Sequence, residues 1–484
     1  MKIWLFFIFT ASLIPCFAQQ GKFAGVWEGK LNAGVTIRIV FEFSENEKGI
    51  LSGILRSPDQ SPAPITADTT YVQGDSIFTG VKNFGISFKG KLINDSTITG
   101  SFIQGVSIPL QLKKVLTASL VNRPQTPIPP FSYHSEDVAY YNADRSIKFG
   151  ATLTYPKIEP GVNYIKAPTY PAVLLITGSG PQDRDETIFM HKPFAVIADE
   201  LSRKGFVVLR ADDRGIGKTT GNYAAATTAD FANDAEAGIA YLKTLSNVDT
   251  AALGLIGHSE GAMIAPMIAA RRNDIKYIVM LAGPGVPIKQ LMHEQGVAVS
   301  LAQGETTVIS KAAADLSAKF TPLILANTNN NVFTTRAAAI LEKEAKKDRE
   351  LFKKLNLSTP LLRNQYASQM AGQVNTPWFR FFYSYDPQHN LKKLQSSVLA
   401  LNGEKDIQVL SKSNLAGIRK ALRKNKAINY EAIEIPGLNH LFQTCKTCSV
   451  AEYGELEETF SPVALKIISD WLWKQYINPA PVLQ

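Results

Sequence analysis

The sequence has little cysteine and little charge. Its 484 residues include 3 cysteines, and charged residues make up 19% of the chain. Three cysteines cannot build the disulfide framework of a small secreted domain, and 45% hydrophobic residues exclude a disordered chain. The 51 basic and 42 acidic residues leave a net charge of +9, and the densest basic run, residues 419–426, is short. A nucleic-acid partner would need clustered basic residues, so none is expected.

An apolar run long enough to span a membrane is also missing. The longest one, residues 3–17, is shorter than the roughly 20 residues that a spanning helix needs. A basic residue before it and Ala18 at its end are typical of a secretory signal peptide over residues 1–18. We therefore expect a periplasmic or secreted protein without stable membrane insertion after signal removal. Cys16 leaves a lipoprotein as the alternative, which Pro15 disfavours because it fits that processing site poorly.

Signal removal would leave Cys445 and Cys448 as the remaining cysteines. In an oxidising compartment such a pair can form a small local disulfide. A zinc site would need two further ligands. A thioredoxin-like redox motif would need a following helix in an early βαβ unit, and that context is missing. No metal site is therefore predicted here.

Residues 19–115 are predicted to form a β-rich domain. Apolar and polar residues alternate over residues 35–43 and 86–92, with Gly, Asn and Asp clusters between them. This pattern is typical of an antiparallel sheet curled into a small barrel or a sandwich. Trp27 near the start is expected to close one end of it. The segment has no polar cluster suited to catalysis, and docking to glycan or envelope is kept as an alternative role for it.

A second pattern follows a proline-rich stretch, residues 116–134, which is predicted to be a stiff linker. Over residues 135–484, short apolar runs alternate with helical stretches. Strands buried on both faces give such runs, so a mostly parallel sheet flanked by helices is predicted. Between Leu281 and Val398 the chain has helical patterns without a clear strand pair and is predicted to be an insertion above the sheet. The predicted strands are residues 172–177, 206–210, 253–256, 277–281, 398–402 and 430–435.

Gly257-His-Ser-Glu-Gly261 follows one of these strands and opens a helix. Gly-x-Ser-x-Gly at such a junction is the nucleophile elbow, a sharp turn that projects the serine hydroxyl at the edge of the sheet. Ser259 is therefore the predicted nucleophile. The N-terminus of the following helix would favour negative charge beside it.

A nucleophilic serine needs a base and an acid that orients the base. His440 follows the last predicted strand directly, where a side chain could reach over the sheet edge. His389 is the fallback. Asp406 ends the preceding strand and is the best candidate for the acid, whereas nearby Glu404 is expected to cap the turn. The order Ser259, Asp406, His440 is that of α/β-hydrolases.

Two backbone N–H groups are needed to hold an oxyanion. One is expected from Glu260, directly after the nucleophile. The other is expected from the glycine-rich loop 177–185, where Pro181 has no N–H, so Ser179 is favoured over Gly180.

Residues 214–219 look like a nucleotide-binding P-loop but are not one. That motif requires glycine five places before its last glycine, and Asp212 stands there. An ion pair of Arg214 with Asp212 or Asp213, fixing the loop, is the expected role.

From about Ser135 onward, the chain resembles the serine-aminopeptidase-like carboxylesterase branch of the α/β-hydrolase superfamily. The resemblance lies in five sequence blocks in order: residues 178–185, 213–217, 257–261, 403–406 and 437–442. It implies an α/β-hydrolase fold with a helical cap over about residues 286–380 and a triad of Ser259, Asp406 and His440. Thr177 departs from the pattern, since many relatives carry His there, and the segment with Cys445 and Cys448 is not part of it.

The predicted reaction is hydrolysis of a small-molecule carboxylic ester through an acyl-enzyme on Ser259, without a metal or organic cofactor. Trp378, Phe379 and Phe382 could line the acyl pocket, or they could pack the cap. A serine peptidase or amidase would use the same triad and remains an alternative, as does a binding protein that acts through its β-domain.

Overall fold

The computed structural model describes residues 21–33, 36–46, 49–116, 122–157, 168–326, 328–423, 425 and 428–477. The predicted signal peptide and Cys16 lie outside these ranges, as do Lys424 and Lys426 of the basic run. The chain divides into two compact units, Met1–Asn122 and Arg123–Gln484. Within the described ranges, no helix has both the length and the apolar character required to cross a lipid bilayer.

The first unit is one antiparallel sheet of nine strands within the described residues. The strands are β1 (Gly25–Asn32), β2 (Thr36–Glu45), β3 (Leu51–Ser57), β4 (Ser61–Thr66), β5 (Thr69–Gln73), β6 (Ser76–Val81), β7 (Ile86–Asn94), β8 (Thr97–Gln104) and β9 (Val106–Val115). Their order across the sheet is β4-β3-β2-β1-β9-β8-β7-β6-β5.

This sheet curls on itself. Its two edge strands, β4 and β5, are separated in the chain by only two residues, so the edges must approach one another. A Cβ added at Gly53 on β3 would lie 2.7 Å from the Thr70 hydroxyl on β5, which shows how closely they approach. Trp27 is fully buried and donates its indole N–H to the carbonyl of Phe23 at 2.6 Å. Of the two predicted forms, the barrel-like one is confirmed.

The second unit is built on an eight-stranded sheet. Its strands are β10 (Tyr133–Tyr141), β11 (Lys148–Pro156), β12 (Tyr170–Ile176), β13 (Val207–Ala211), β14 (Val248–His258), β15 (Tyr277–Leu281), β16 (Ser397–Gly403) and β17 (Tyr430–Ile435). Their order is β10-β11-β13-β12-β14-β15-β16-β17. The pairs from β13 to β17 are parallel, and β10 and β11 add an antiparallel edge.

Helices cover both faces of this sheet, as predicted. α2 (Thr228–Leu242), α3 (Gly261–Ala269) and α12 (Ser411–Leu422) pack on one face, and α1 (Pro193–Arg203) and α13 (Pro462–Tyr476) pack on the other. The central strands are buried on both faces, which explains their uninterrupted apolar sequences.

Between β15 and β16 the chain is helical. These helices are α4 (Ile288–Ala302), α5 (Thr307–Ala318), α6 (Thr321–Leu325), α7 (Asn330–Lys347), α8 (Arg349–Lys354), α9 (Pro360–Val374), α10 (Pro377–Ser384) and α11 (Gln388–Leu391). Several of them share a core of their own around Phe320, Phe333 and Leu341.

The segment predicted as a linker is fixed to the second unit at its carboxyl end. Arg123 donates to the carbonyls of Gly454 and Leu456 at 2.8 and 2.7 Å. Tyr133 and His134, which fall in the predicted linker, begin strand β10. Proline content indicated a stiff extended segment, but it could not reveal these distant backbone acceptors.

Candidate active site

The predicted catalytic residues follow the carboxyl ends of parallel strands. Ser259 comes directly after β14, Asp406 follows β16 and His440 follows β17. Carboxyl ends of parallel strands meet at one edge of a sheet, which is where ligands bind in open α/β folds. The sheet topology therefore brings three loops that are distant in sequence to the same edge.

The turn at Ser259 has the geometry of a nucleophile elbow. Ser259 has φ +52°, in the left-handed region that is unusual for a non-glycine residue, and its N–H donates to the carbonyl of Leu281 at 2.8 Å. A Cβ at Gly257 would lie 2.1 Å from the Gly261 carbonyl oxygen, and one at Gly261 would lie 2.0 Å from that of Ile176. Both flanking positions therefore require glycine.

His440 and Asp406 are joined directly. Nδ1 of His440 lies 2.8 Å from Oδ2 of Asp406, and both side chains are buried. The other carboxylate oxygen of Asp406 accepts the N–H groups of Gln408 and Val409 at 2.8 and 2.9 Å. Two backbone donors thus orient the carboxylate, which in turn orients the imidazole.

His258, the residue before Ser259, connects the elbow to the base His440. Nε2 of His258 lies 3.0 Å from the backbone oxygen of His440, and the two rings are 4.9 Å apart. Among the residues that the structure describes, no hydrogen bond joins the Ser259 hydroxyl to His440. Such catalytic contacts often tighten only in the substrate complex.

The expected oxyanion donors lie on either side of the elbow. Within the described part of the chain, the N–H groups of Ser179 and Glu260 have no acceptor. The adjacent Gly178 N–H donates to the Glu186 carboxylate at 2.6 Å. The Gly178 N–H is thus not available to an oxyanion, whereas that of Ser179 is, and the choice of Ser179 over Gly180 stays a prediction.

The Glu260 side chain is a feature that the sequence did not predict. Its buried carboxylate accepts hydrogen bonds from the hydroxyls of Ser179 and Thr228 at 2.7 and 2.6 Å and from the Trp378 indole at 2.9 Å. Burial raises the pKa of Glu260, and the three donors act against that shift. Glu260 therefore ties the elbow to the oxyanion loop, to α2 and to the cap helix α10.

His258 and Glu186 form a second buried pair that sequence reasoning missed. Nδ1 of His258 lies 2.9 Å from Oε1 of Glu186. Glu186 has φ +52° and is almost fully buried. Its partner lies 72 residues away in the sequence, so no local pattern could have indicated the pair.

A small cavity of about 50 Å³ lies beside the elbow. Its walls come from β10–β13, α2 and α3, and it has an apolar part and an acidic part. Asp213 lies in the acidic part, where burial raises its pKa to about 7, and the charges of Glu186 and Glu260 act in the same direction. The lining residues include Tyr140, Phe149, Leu174, Gly178, Phe231, Asp234 and Glu260.

The three predicted pocket aromatics are not among the residues that line this cavity. The Trp378 ring stacks on buried Phe382 with centroids 5.2 Å apart, and its indole N–H contacts Glu260. Phe379 stacks on Tyr383 within the core of the cap. Trp378 thus lies next to the elbow, whereas Phe379 packs inside the cap.

The remaining candidates from the sequence occupy structural positions, and one predicted pairing was wrong. Arg214 pairs with Asp234 on α2 at 2.6 Å. Of its two predicted partners, Asp212 pairs with Arg184, and Asp213 accepts hydrogen bonds from Thr177 and Gln182. His389, the fallback base, is exposed. Cys445 and Cys448 are joined as a disulfide. Within the described residues, no group of three or more His, Cys, Asp and Glu side chains could hold a metal ion.

Parts of the chain match known proteins. The family model described as serine aminopeptidase, S33 matches residues 191–442. The chain is 37% identical over 126 residues to Esterase EstD of Thermotoga maritima, a match that covers 26% of this chain and 30% of that protein.

Two solved esterase structures are similar to the chain. The Pyrococcus furiosus esterase Pf2001 has 14% identity, covering 74% of this chain and 99% of its own, with a TM-score of 0.41. Est1E from Butyrivibrio proteoclasticus, in a structure with bound ferulic acid, has 18% identity, covering 70% and 99%, with a TM-score of 0.39. The family model matches more than half of the chain and includes the elbow, Asp406 and His440. The chain therefore belongs to the serine aminopeptidase S33 family of α/β-hydrolases.

Proposed function

We propose that the protein is an exported serine hydrolase that cleaves carboxylic esters through an acyl-enzyme on Ser259. The observation that carries this proposal is the hydrogen bond between His440 and Asp406 at the sheet edge where Ser259 stands in a nucleophile elbow. The partial match to Esterase EstD supports the choice of ester substrates.

The reaction follows from the roles of these groups. Nε2 of His440 takes the proton of the Ser259 hydroxyl as Oγ attacks the acyl carbon. The N–H groups of Ser179 and Glu260 hold the oxygen that becomes negative. Collapse of the intermediate breaks the ester C–O bond, and His440 returns the proton to the leaving alcohol. Water, deprotonated by His440, then attacks the acyl-enzyme and releases the acid.

Asp406 contributes through His440. Because its Oδ2 accepts the Nδ1–H of the ring, the lone pair of the neutral imidazole is fixed at Nε2. The same carboxylate stabilises the imidazolium that forms during attack.

The cavity beside the elbow is the proposed acyl site. Its wall of Tyr140, Phe149 and Leu174 suits an apolar group, and Gly178 and Glu260 place its mouth next to the oxyanion donors. An acyl group seated there would present its carbonyl to Ser259.

A peptidase or amidase is the second candidate. The buried carboxyl groups of Asp213 and Glu260 line the same cavity, and an ammonium group on a substrate would be complementary to them. The family description, serine aminopeptidase, also favours this candidate.

One assay separates the two candidates. The purified protein is given p-nitrophenyl esters of increasing chain length and matched aminoacyl p-nitroanilides. Activated esters acylate any serine nucleophile more readily than anilides do, so the anilide series decides. Esterase function predicts turnover of the esters and no turnover of any anilide above the Ser259→Ala background. Anilide turnover above that background would make the protein a peptidase.

Export rests on residues 1–18, and it has its own test. The mature protein, isolated from the producing cell's periplasm or medium, should begin at Gln19. An acylated cysteine at position 16 would instead establish the lipoprotein alternative.

A further inference from the structure

Both ring nitrogens of His258 face acceptors. Nδ1 lies 2.9 Å from Oε1 of Glu186, and Nε2 lies 3.0 Å from the backbone oxygen of His440. A backbone carbonyl cannot donate, and the same Oε1 already accepts the Gly178 N–H at 2.6 Å. A neutral imidazole has one N–H, so it can satisfy only one of these acceptors.

We propose that His258 and Glu186 are positioning residues: His258 remains an imidazolium, held by the Glu186 carboxylate, and fixes the backbone of the base His440 relative to the elbow and the oxyanion loop. This proposal rests on the function proposed above, because it assigns His440 as the base. Neither side chain is expected to touch the substrate.

The electrostatic surroundings agree with a charged His258. Burial alone would lower the pKa of His258, but the charge and hydrogen bond of Glu186, the carbonyl of His440 and the charge of Asp406 outweigh it, and the net pKa is raised. The groups facing the ring come from three loops: Glu186 after β12, Asp406 after β16 and His440 after β17. The charge of Glu186 also acts on Asp213, after β13.

The pair connects three parts of the proposed active site. Glu186 holds the oxyanion loop through the Gly178 N–H, and His258 is part of the elbow itself. A Cβ at Gly178 would lie 3.0 Å from Oε1 of Glu186 and 3.3 Å from Cβ of Ser259, so these parts are closely packed. If the pair is broken, the carbonyl of His440 loses its donor and the base can shift relative to Ser259.

The first test does not depend on activity. Long-range ¹H–¹⁵N spectra of protein labelled at its 6 histidines report how many protons each ring carries. A free imidazole has a pKa of about 6.5 and is neutral at pH 8. We expect one ring to carry two protons at pH 8, and we expect its signals to disappear in His258→Gln. If every ring is neutral at pH 8, the proposal is overturned.

Glu186→Gln tests the link between the two side chains. The amide carries no charge, so His258 should lose its second proton, and the doubly protonated signal should be absent at pH 8. If that signal persists in Glu186→Gln, Glu186 is not what holds the charge.

The kinetic test separates positioning from simple loss of structure. In His258→Gln we expect kcat to fall about 10- to 100-fold, the cost of a misplacement of about 1 Å, with KM changed less than threefold. The acid limb of the pH profile of kcat/KM should move to higher pH, because a positive charge beside the base has been removed. His389→Gln, an exposed histidine in α11, is the control and should behave as wild type.

The outcomes distinguish this proposal from the proposed function. An unchanged kcat and an unmoved acid limb in a folded His258→Gln protein would contradict the positioning role and leave the serine mechanism intact. If Ser259→Ala retains turnover, the serine mechanism is wrong. The NMR spectra then still decide, independently of activity, whether His258 is an imidazolium. If His258→Gln does not fold, the wild-type and Glu186→Gln spectra still decide the question.

Discussion

Nδ1 of His440 lies 2.8 Å from Oδ2 of Asp406, and the other oxygen of that carboxylate is held by two backbone N–H groups. The carboxylate therefore has one orientation, and the imidazole it contacts is fixed in both ring orientation and tautomer. This buried pair is the contact from which the proposed chemistry follows.

Asp406→Asn should lower kcat by about 10⁴-fold, because an amide can stabilise the wrong tautomer of His440 and cannot stabilise its charge. Steady-state kinetics on the best ester would measure this. Glu404→Gln is the matched control, since this exposed carboxylate in the same loop accepts the Gly437 N–H and pairs with Lys405, away from His440. Equal losses of kcat in both variants would show that activity depends on the loop as a whole and not on the contact between Asp406 and His440.

Gly257→Ala should lower the free energy of unfolding by about 1–3 kcal/mol, as overpacking does. Its methyl group would meet the Gly261 carbonyl at 2.1 Å, and backbone there cannot move without distorting the elbow. Urea denaturation would measure the change. Gly372→Ala is the control: nothing lies within 4 Å of a Cβ there, and alanine within α9 should add ~0.5–1 kcal/mol. If Gly257→Ala has the same free energy of unfolding as wild type, the elbow geometry is contradicted.

Acid should destabilise the protein through His191. Burial, and then the charge of Arg123, lower the pKa of His191 to about 4, whereas it is 6.5 unperturbed. Between these values the unfolded state binds the extra proton, so stability is present above pH 6.5 and is lost as the pH falls towards 4. A pKa difference of this size corresponds to about 3 kcal/mol.

His191→Gln removes this titration. The substitution also removes the contacts with Thr459 and Tyr453. Between pH 7 and pH 4, the free energy of unfolding of the variant should nevertheless fall by about 3 kcal/mol less than that of wild type. Denaturation curves at the two pH values supply the measurement. Parallel losses in wild type and variant would show that another group is responsible.

The sequence predicted the central strands closely, because strands buried on both faces are uninterrupted apolar runs. The predicted bounds of residues 277–281 are those of β15, and the predicted strand 398–402 differs from β16 by one residue at each end. The sequence did not predict β10, an edge strand with mostly exposed residues that begins within the proline-rich stretch, or β11, although β11 is mostly buried. An edge position alone does not hide a strand, because β17, at the other edge, has the predicted bounds.

The residues of the site also fall into those that the sequence predicted and those that it did not. Ser259, Asp406 and His440 could be found because each follows a recognisable strand. Glu186 and the carboxylate of Glu260 could not be predicted as buried, since their partners, Gly178, His258, Thr228 and Trp378, lie on other elements. The cavity is likewise formed by side chains from several strands and helices, and no local pattern carries that information.

The most direct test of the proposed mechanism is the site of covalent labelling by a fluorophosphonate. The intact protein is incubated with the probe, and its peptides are analysed by tandem mass spectrometry alongside Ser259→Ala. The mechanism predicts a single adduct on Ser259, loss of ester turnover in step with labelling, and neither labelling nor turnover in Ser259→Ala. An adduct on another residue, or ester turnover retained by Ser259→Ala, would contradict it.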